Sequence, residues 1–133
     1  MTAVIVQCRL SSTRLPSKAL LPLGSCAEPL VVWTLRAMKK VRADSYWLAC
    51  DEASFAELNP LAEQNGWNCF GGSETDVLKR FCDVIKKSGA DTVVRATADN
   101  PFLFYEAARF SLDEFLKRNC DYFTLTGLPH GSG

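Results

Sequence analysis

The 133-residue chain is the length of one domain, and its 47% hydrophobic and 23% charged residues are the balance of a globular protein, with neither a disordered tail's polarity nor a bilayer-length apolar run. A domain of this size buries about two thirds of its unfolded surface and can fold around one core. Fifteen basic and fifteen acidic residues cancel, so no global field favours nucleic acid or an anionic membrane, and any anion site must be local.

Runs of strand length alternate with segments of helical period, the pattern of a parallel sheet covered by helices. Ala3 to Cys8 reads as a buried strand. Pro29 to Lys40 reads as a helix with proline in its first turn and Leu30, Trp33, Leu35, Ala37 and Met38 available for burial. Ser45 to Cys50 is the second strand. Glu52 to Asn65 is helical in composition, but Pro60 should break or restart it with Asn59 as a new cap, and Gly66 ends it. Trp67 to Phe70 is a short strand. Ser73-Glu74-Thr75-Asp76 resembles a capping box opening a helix that runs through Lys87 and closes at Gly89. Thr92 to Thr97 is the clearest strand, Tyr105 to Arg118 a further helix and Asp121 to Thr126 a fifth strand, with loop beyond it. No repeat, low-complexity segment or linker divides this single α/β unit.

Six cysteines, Cys8, Cys26, Cys50, Cys69, Cys82 and Cys120, lie far apart without a C-x-x-C pair, which predicts reduced, mostly buried thiols rather than a zinc site or secreted framework. The apolar stretch Ala3 to Val6 is too short and wrongly flanked for a signal peptide, which places the protein in the cytoplasm.

Ligands of open α/β sheets bind beyond the carboxyl ends of the strands. Strand one is followed by Gln7-Cys8-Arg9-Leu10-Ser11-Ser12-Thr13-Arg14-Leu15-Pro16-Ser17-Lys18, strand two by Asp51, and strand four by Asp99-Asn100-Pro101. Arg9, Arg14 and Lys18 are the only charged side chains before Glu28. Small hydroxyl residues with interspersed cations suit a polyphosphate, since backbone N–H groups and hydroxyls donate while Arg and Lys neutralise oxygens. The same loop is also compatible with solvated surface charges. Neither G-x-x-x-x-G-K-[ST] nor G-x-G-x-x-G occurs. Asp99 suits Mg²⁺, which one or two carboxylates usually hold together with phosphate oxygens. A turn in which Asp99 caps backbone is the alternative.

Three ordered motifs carry a resemblance: Cys8 to Lys18, with Arg-x-x-Ser-Thr-Arg-Leu-Pro-x-Lys; Gly72-Ser73-Glu74-Thr75-Asp76-Val77-Leu78-Lys79-Arg80; and Val94-Arg95-Ala96-Thr97-Ala98-Asp99-Asn100-Pro101. Together they resemble the cytidylyltransferases of the spore-coat polysaccharide type, relatives of the acylneuraminate and KDO enzymes, from Val4 to Gly131. The resemblance implies a three-layer, Rossmann-like, nucleotide-diphospho-sugar-transferase-like fold with a mostly parallel sheet. It implies one nucleotide-binding domain over residues 1–133 and a missing C-terminal half that would supply a second metal-binding acid, acceptor contacts and a dimerisation region.

By that resemblance Arg9, Ser12, Thr13, Arg14 and Lys18 contact the phosphates of CTP and Asp99 binds Mg²⁺. Arg9, Lys18 and Asp99 then carry catalysis. Ser73, Asp76 and Arg80 line the nucleotide or sugar pocket, with helix capping the alternative for Ser73 and Asp76. Asp51 approaches the nucleoside or caps the helix that follows it. The implied reaction transfers a cytidylyl group to a sugar and releases pyrophosphate. A non-catalytic nucleotide-binding remnant and a transferase using another base are the alternatives. The partners are CTP and a sugar acceptor, without nucleic acid or membrane, and a homodimer is allowed. Glycine is usual in the family where this chain has Ser11, Ser17 and Ala98, which predicts a cost wherever that backbone needs positive φ or close approach to phosphate.

Overall fold

The computed structural model describes residues 1–11 and 17–128. Four parallel strands form the central sheet: β1 (Thr2–Gln7), β4 (Ser45–Asp51), β5 (Asn68–Gly72) and β6 (Thr92–Thr97), in the order β5-β4-β1-β6. Two short segments, β2 (Pro22–Leu23) and β3 (Glu28–Pro29), pair as an antiparallel hairpin that the sequence pattern did not announce. The helices are α1 (Leu30–Met38), α2 (Glu52–Gln64), α3 (Val77–Ser88) and α4 (Tyr105–Lys117), and Lys18–Leu20 adds one 3-10 turn.

Side-chain alternation along the strands builds three layers. Val4, Val6, Leu48, Cys50 and Ala96 face one way, against Val31, Val32, Leu35 and Met38 of α1, Leu58 and Ala62 of α2 and Leu112 of α4. Ala3, Ile5, Trp47 and Ala49 face the other, against Phe81 and Val84 of α3. Each of the larger apolar side chains removed from water contributes about 1.5–3 kcal/mol. The predicted sheet with helices on both faces is therefore present.

Three element predictions need correction. Pro60 does not interrupt α2, which runs unbroken. Leu58 and Ala62 are fully buried on either side of it, and their packing on the sheet outweighs a lost helical hydrogen bond and a ring clash worth about 3 kcal/mol. Asp121 to Thr126 forms no strand. Its half-buried Phe123 and Leu125 line a groove of about 790 Å³ with Val94, Ala108 and Leu112, and the Arg118 guanidinium lies 5.6 Å from the Phe123 ring centroid. Side-chain docking, rather than pairing with β6, holds the segment. Finally, α3 begins at Val77 with Asp76 as its cap, so Ser73 stands ahead of the helix.

The cysteines are all free, but only Cys8 and Cys50 are buried; Cys69 and Cys120 are half-buried, and Cys26 and Cys82 are exposed. The expectation of mostly buried thiols is corrected accordingly.

Candidate nucleotide site

From β1 the chain steps outward to β4 and β5, then crosses through α3 to β6 on the opposite side of β1. This reversal of direction leaves a crevice at the carboxyl ends of β1 and β6, the place where open α/β sheets take ligands. Register puts the candidate residues at one level. Gln7 pairs with Ala49 on one side and Thr97 on the other, so Arg9, Asp51 and Asp99 each follow two residues beyond an aligned position.

The loop after β1 is fastened at both ends. Cys8 N–H donates to the Ala49 carbonyl at 3.0 Å, and Ser17 N–H donates to the Leu10 carbonyl at 2.8 Å. Leu10 N–H donates to Ser54 Oγ at 3.1 Å, while the Ser54 hydroxyl donates to Asp51 Oδ1 at 2.6 Å. Asp51, only 2% exposed, thus acts through Ser54 on the backbone of the loop. It makes no side-chain bond to the amides of α2, so the geometry places it beneath the loop and not as a helix cap.

Arg9 and Lys18 flank the closed segment, and both are exposed. Neither side chain forms an ion pair or hydrogen bond with another described residue. The Leu10–Ser17 closure joins the residues next to these two cations, whose side chains have no partner among the described residues. Ser12, Thr13 and Arg14 lie outside the described residues.

Across the crevice, Ala98 N–H donates to the Gln7 carbonyl at 2.9 Å and carries the chain into the turn at Asp99. Asn100 caps this turn, its Oδ1 accepting from Phe102 N–H at 3.1 Å. The buried Thr34 hydroxyl donates to the Asn100 carbonyl at 3.0 Å. The turn is therefore held by its neighbours, and the Asp99 carboxylate is exposed and outside that hydrogen bonding.

Arg80 is fully buried, and its Nε and both terminal nitrogens have no partner. An unpaired buried charge is costly, and buried cations are ordinarily matched by an anion. Its stem packs under the end of β5, where a Cβ on Gly72 would come within 3.1 Å of Arg80 Cγ. Burial pushes the Cys8 thiol up to about 12; the charges of Asp51 and Asp99 add to this and that of Arg80 opposes it. These charged groups therefore share the neighbourhood of one buried sulfur.

Ser73 and Asp76 are occupied in capping: Ser73 Oγ accepts from Asp76 N–H at 3.1 Å, and Asp76 Oδ1 accepts from Lys79 N–H at 2.9 Å. Ser54 and Thr34, which fasten the two halves of the crevice, are absent from the sequence-based site. Both were visible as polar residues on the sheet-facing sides of α2 and α1.

The replaced glycines separate on inspection. Ser17 has φ 55°, in the left-handed region, whereas neither Ser11 nor Ala98 has positive φ. Positive φ is therefore a reason for glycine at Ser17 and not at Ser11 or Ala98.

Known proteins follow the same line. The chain is 32% identical over 131 residues to the spore coat polysaccharide biosynthesis protein SpsF of Bacillus subtilis, covering 96% of this chain and 55% of that protein. It is 31% identical over 118 residues to a 3-deoxy-manno-octulosonate cytidylyltransferase of Chlorobium chlorochromatii, covering 87% of this chain and 46% of that one. Among solved structures it is similar to a cytidylyltransferase from Leptospira borgpetersenii, with TM-score 0.81 and 28% identity over 89% of this chain and 50% of that chain. The chain spans about half the length of the relatives it matches. A strand-end crevice with exposed cations on the loop after β1 and an exposed carboxylate after β6, and a match to the cytidylyltransferase family over residues 3–132, lead to one conclusion: the chain belongs to that family.

Proposed function

We propose that this chain forms the triphosphate-binding part of an enzyme that transfers a cytidylyl group from CTP to a sugar and releases pyrophosphate. The observation that carries the reading is the pair of exposed cations, Arg9 and Lys18, whose side chains have no partner among the described residues, on a fastened loop whose Arg9 stands level with the exposed Asp99. A sugar acceptor is supported by two relatives, a spore coat polysaccharide biosynthesis protein and a 3-deoxy-manno-octulosonate cytidylyltransferase. An acid sugar of a surface polysaccharide is the acceptor class we favour.

In this reaction a sugar hydroxyl attacks the α-phosphorus in line, the bond to the bridging oxygen breaks, and pyrophosphate leaves as the hydroxyl proton is lost. The protein need supply no nucleophile. Arg9 and Lys18 bind the phosphates and offset charge developing on the leaving group. Arg80 adds a buried positive charge behind the strand ends. Asp51, through Ser54 and Leu10, positions the loop.

Asp99 fits Mg²⁺: it is an exposed carboxylate outside the hydrogen bonding of its turn, and one or two such groups plus phosphate oxygens and water are the usual ligands. Among the described residues no group of three or more His, Cys, Asp or Glu could hold a metal, so the triphosphate would supply further ligands. Bound there, Mg²⁺ would neutralise phosphate charge and orient the transferring group.

A second reading, nucleotide binding without turnover, is favoured by Ser17, whose left-handed backbone carries a cost at the edge of the loop. Pyrophosphate release from CTP, GTP, UTP and ATP with Mg²⁺ and a panel of acid sugars separates the readings. The proposal expects release with CTP and an acid sugar. Release with another base would revise the nucleotide, binding of CTP without release would favour the second reading, and no binding of any nucleotide would contradict both.

A further inference from the structure

The end of β5 carries chemistry that the crevice does not use. Cys50 of β4 and Cys69 of β5 lie on the same face of the sheet, because Cys69 pairs with Leu48 and Cys50 with Gly71. Their sulfurs are 3.9 Å apart, and Cys50 Sγ is also 3.5 Å from the Phe70 carbonyl oxygen. Cys50 is buried, whereas Cys69 is half-buried and lines a cavity of about 400 Å³ with Glu52, Phe55, Phe70, Gly71 and Lys87. One thiol is thus reachable by a small molecule and the other waits behind it.

We propose that Cys69 and Cys50 form a thiol–disulfide exchange site that takes small-molecule disulfides of the glutathione type, Cys69 as the attacking and Cys50 as the resolving sulfur.

The hydrogen bond between the two thiols holds the Cys69 thiol below its ordinary value, and the same contact together with burial pushes the Cys50 thiol up. The asymmetry matches the order of attack, since the thiolate is the nucleophile. Lys87 at the cavity wall can attract a carboxylate of a glutathione-type disulfide, and Glu52 on the same wall its ammonium group, while the charge of Glu63 works against the Cys69 thiolate.

In the first step Cys69 sulfur bonds to one sulfur of the disulfide, whose S–S bond breaks and whose other half leaves as a thiolate. In the second, Cys50 sulfur attacks Cys69 sulfur, and the second thiolate leaves. The two protein thiols are oxidised to one disulfide, the small disulfide is reduced to two thiols, and the protons of Cys69 and Cys50 end on those thiols.

The test treats the reduced full chain with glutathione disulfide and reads intact mass, then peptides cut after glutamate, which separate the two positions at Glu52, Glu57 and Glu63. The expected results are loss of two hydrogens with a Cys50–Cys69 link in the wild type, and a persistent glutathione adduct on Cys69 in Cys50→Ser. Glutathione on the exposed Cys26 and Cys82 with Cys69 unmodified would overturn the proposal, as would a Cys50→Ser chain without an adduct on Cys69. The readout is independent of nucleotide binding, so this inference stands or falls apart from the proposed function.

Discussion

Ser17 sits where the loop after β1 closes: its N–H reaches the Leu10 carbonyl, its carbonyl accepts from Leu20 N–H at 2.9 Å, and its φ is 55°. A side chain in the left-handed region costs about 1–2 kcal/mol, and glycine relieves it without losing either backbone bond. Ser17→Gly should therefore raise stability by about 1 kcal/mol, seen as a higher urea midpoint at unchanged slope; an unchanged or lower midpoint would contradict the strain. Opposite it, Asp99→Asn keeps the shape of the turn, because Asn100 and Thr34 hold that turn, but removes the negative charge. It should abolish the dependence of CTP binding on Mg²⁺, and a titration identical to wild type would remove Asp99 from metal binding. The positions of Arg9 and Asp99 beyond strand ends were legible in sequence because each follows a strand, and the positive charge of the first loop because no acidic side chain precedes Glu28. The relay from Asp51 through Ser54 to Leu10 was not, because it joins groups far apart in the chain that only packing brings together.

Elements follow the same division between local and tertiary causes. Gly89 was readable as the end of α3 because a left-handed residue closes helices, and its φ is 69°. The continuity of α2 through Pro60 was not, since local propensity favours a break and only burial of Leu58 and Ala62 overrides it. Pro60 is exposed, so Pro60→Ala should add about 2 kcal/mol: the helical gain of about 3 less roughly 1 for the freer unfolded chain. Thermal unfolding would read this as a higher Tm, and a lower Tm would show that the proline stabilises the helix where it stands. At the end of β5, Gly72 is required by close approach, since a Cβ there would stand 2.8 Å from Phe70 Cε1 and 3.1 Å from Arg80 Cγ. Gly72→Ala should destabilise by about 1–3 kcal/mol, as overpacking does. Wild-type stability in denaturant would show that the ring and the buried guanidinium can move aside. The Asp121 to Thr126 segment misleads for the opposite reason: its half-buried Phe123 and Leu125 alternate with exposed residues like a strand, yet they dock by side chains alone.

At the scale of the molecule, the sheet order β5-β4-β1-β6 does the positioning. It seats β1 in the interior, brings the Asp99 turn beside the loop after β1, and leaves β5 at an edge, where the Cys69 cavity opens. Alternating strands and helices made the fold class legible, but the crossover that creates the crevice depends on strand order, which local periodicity does not encode. Charge at this scale is also a guide: with fifteen cations and fifteen anions in all, attraction for a triphosphate must come from the few groups at the strand ends. Calorimetric titration of the chain with CTP and Mg²⁺, repeated on Arg9→Ala and Lys18→Ala, tests this most directly. The account predicts saturable binding that each substitution weakens by about 1.5–3 kcal/mol, the range for hydrogen bonds to charged groups; wild-type affinity in both variants would contradict it.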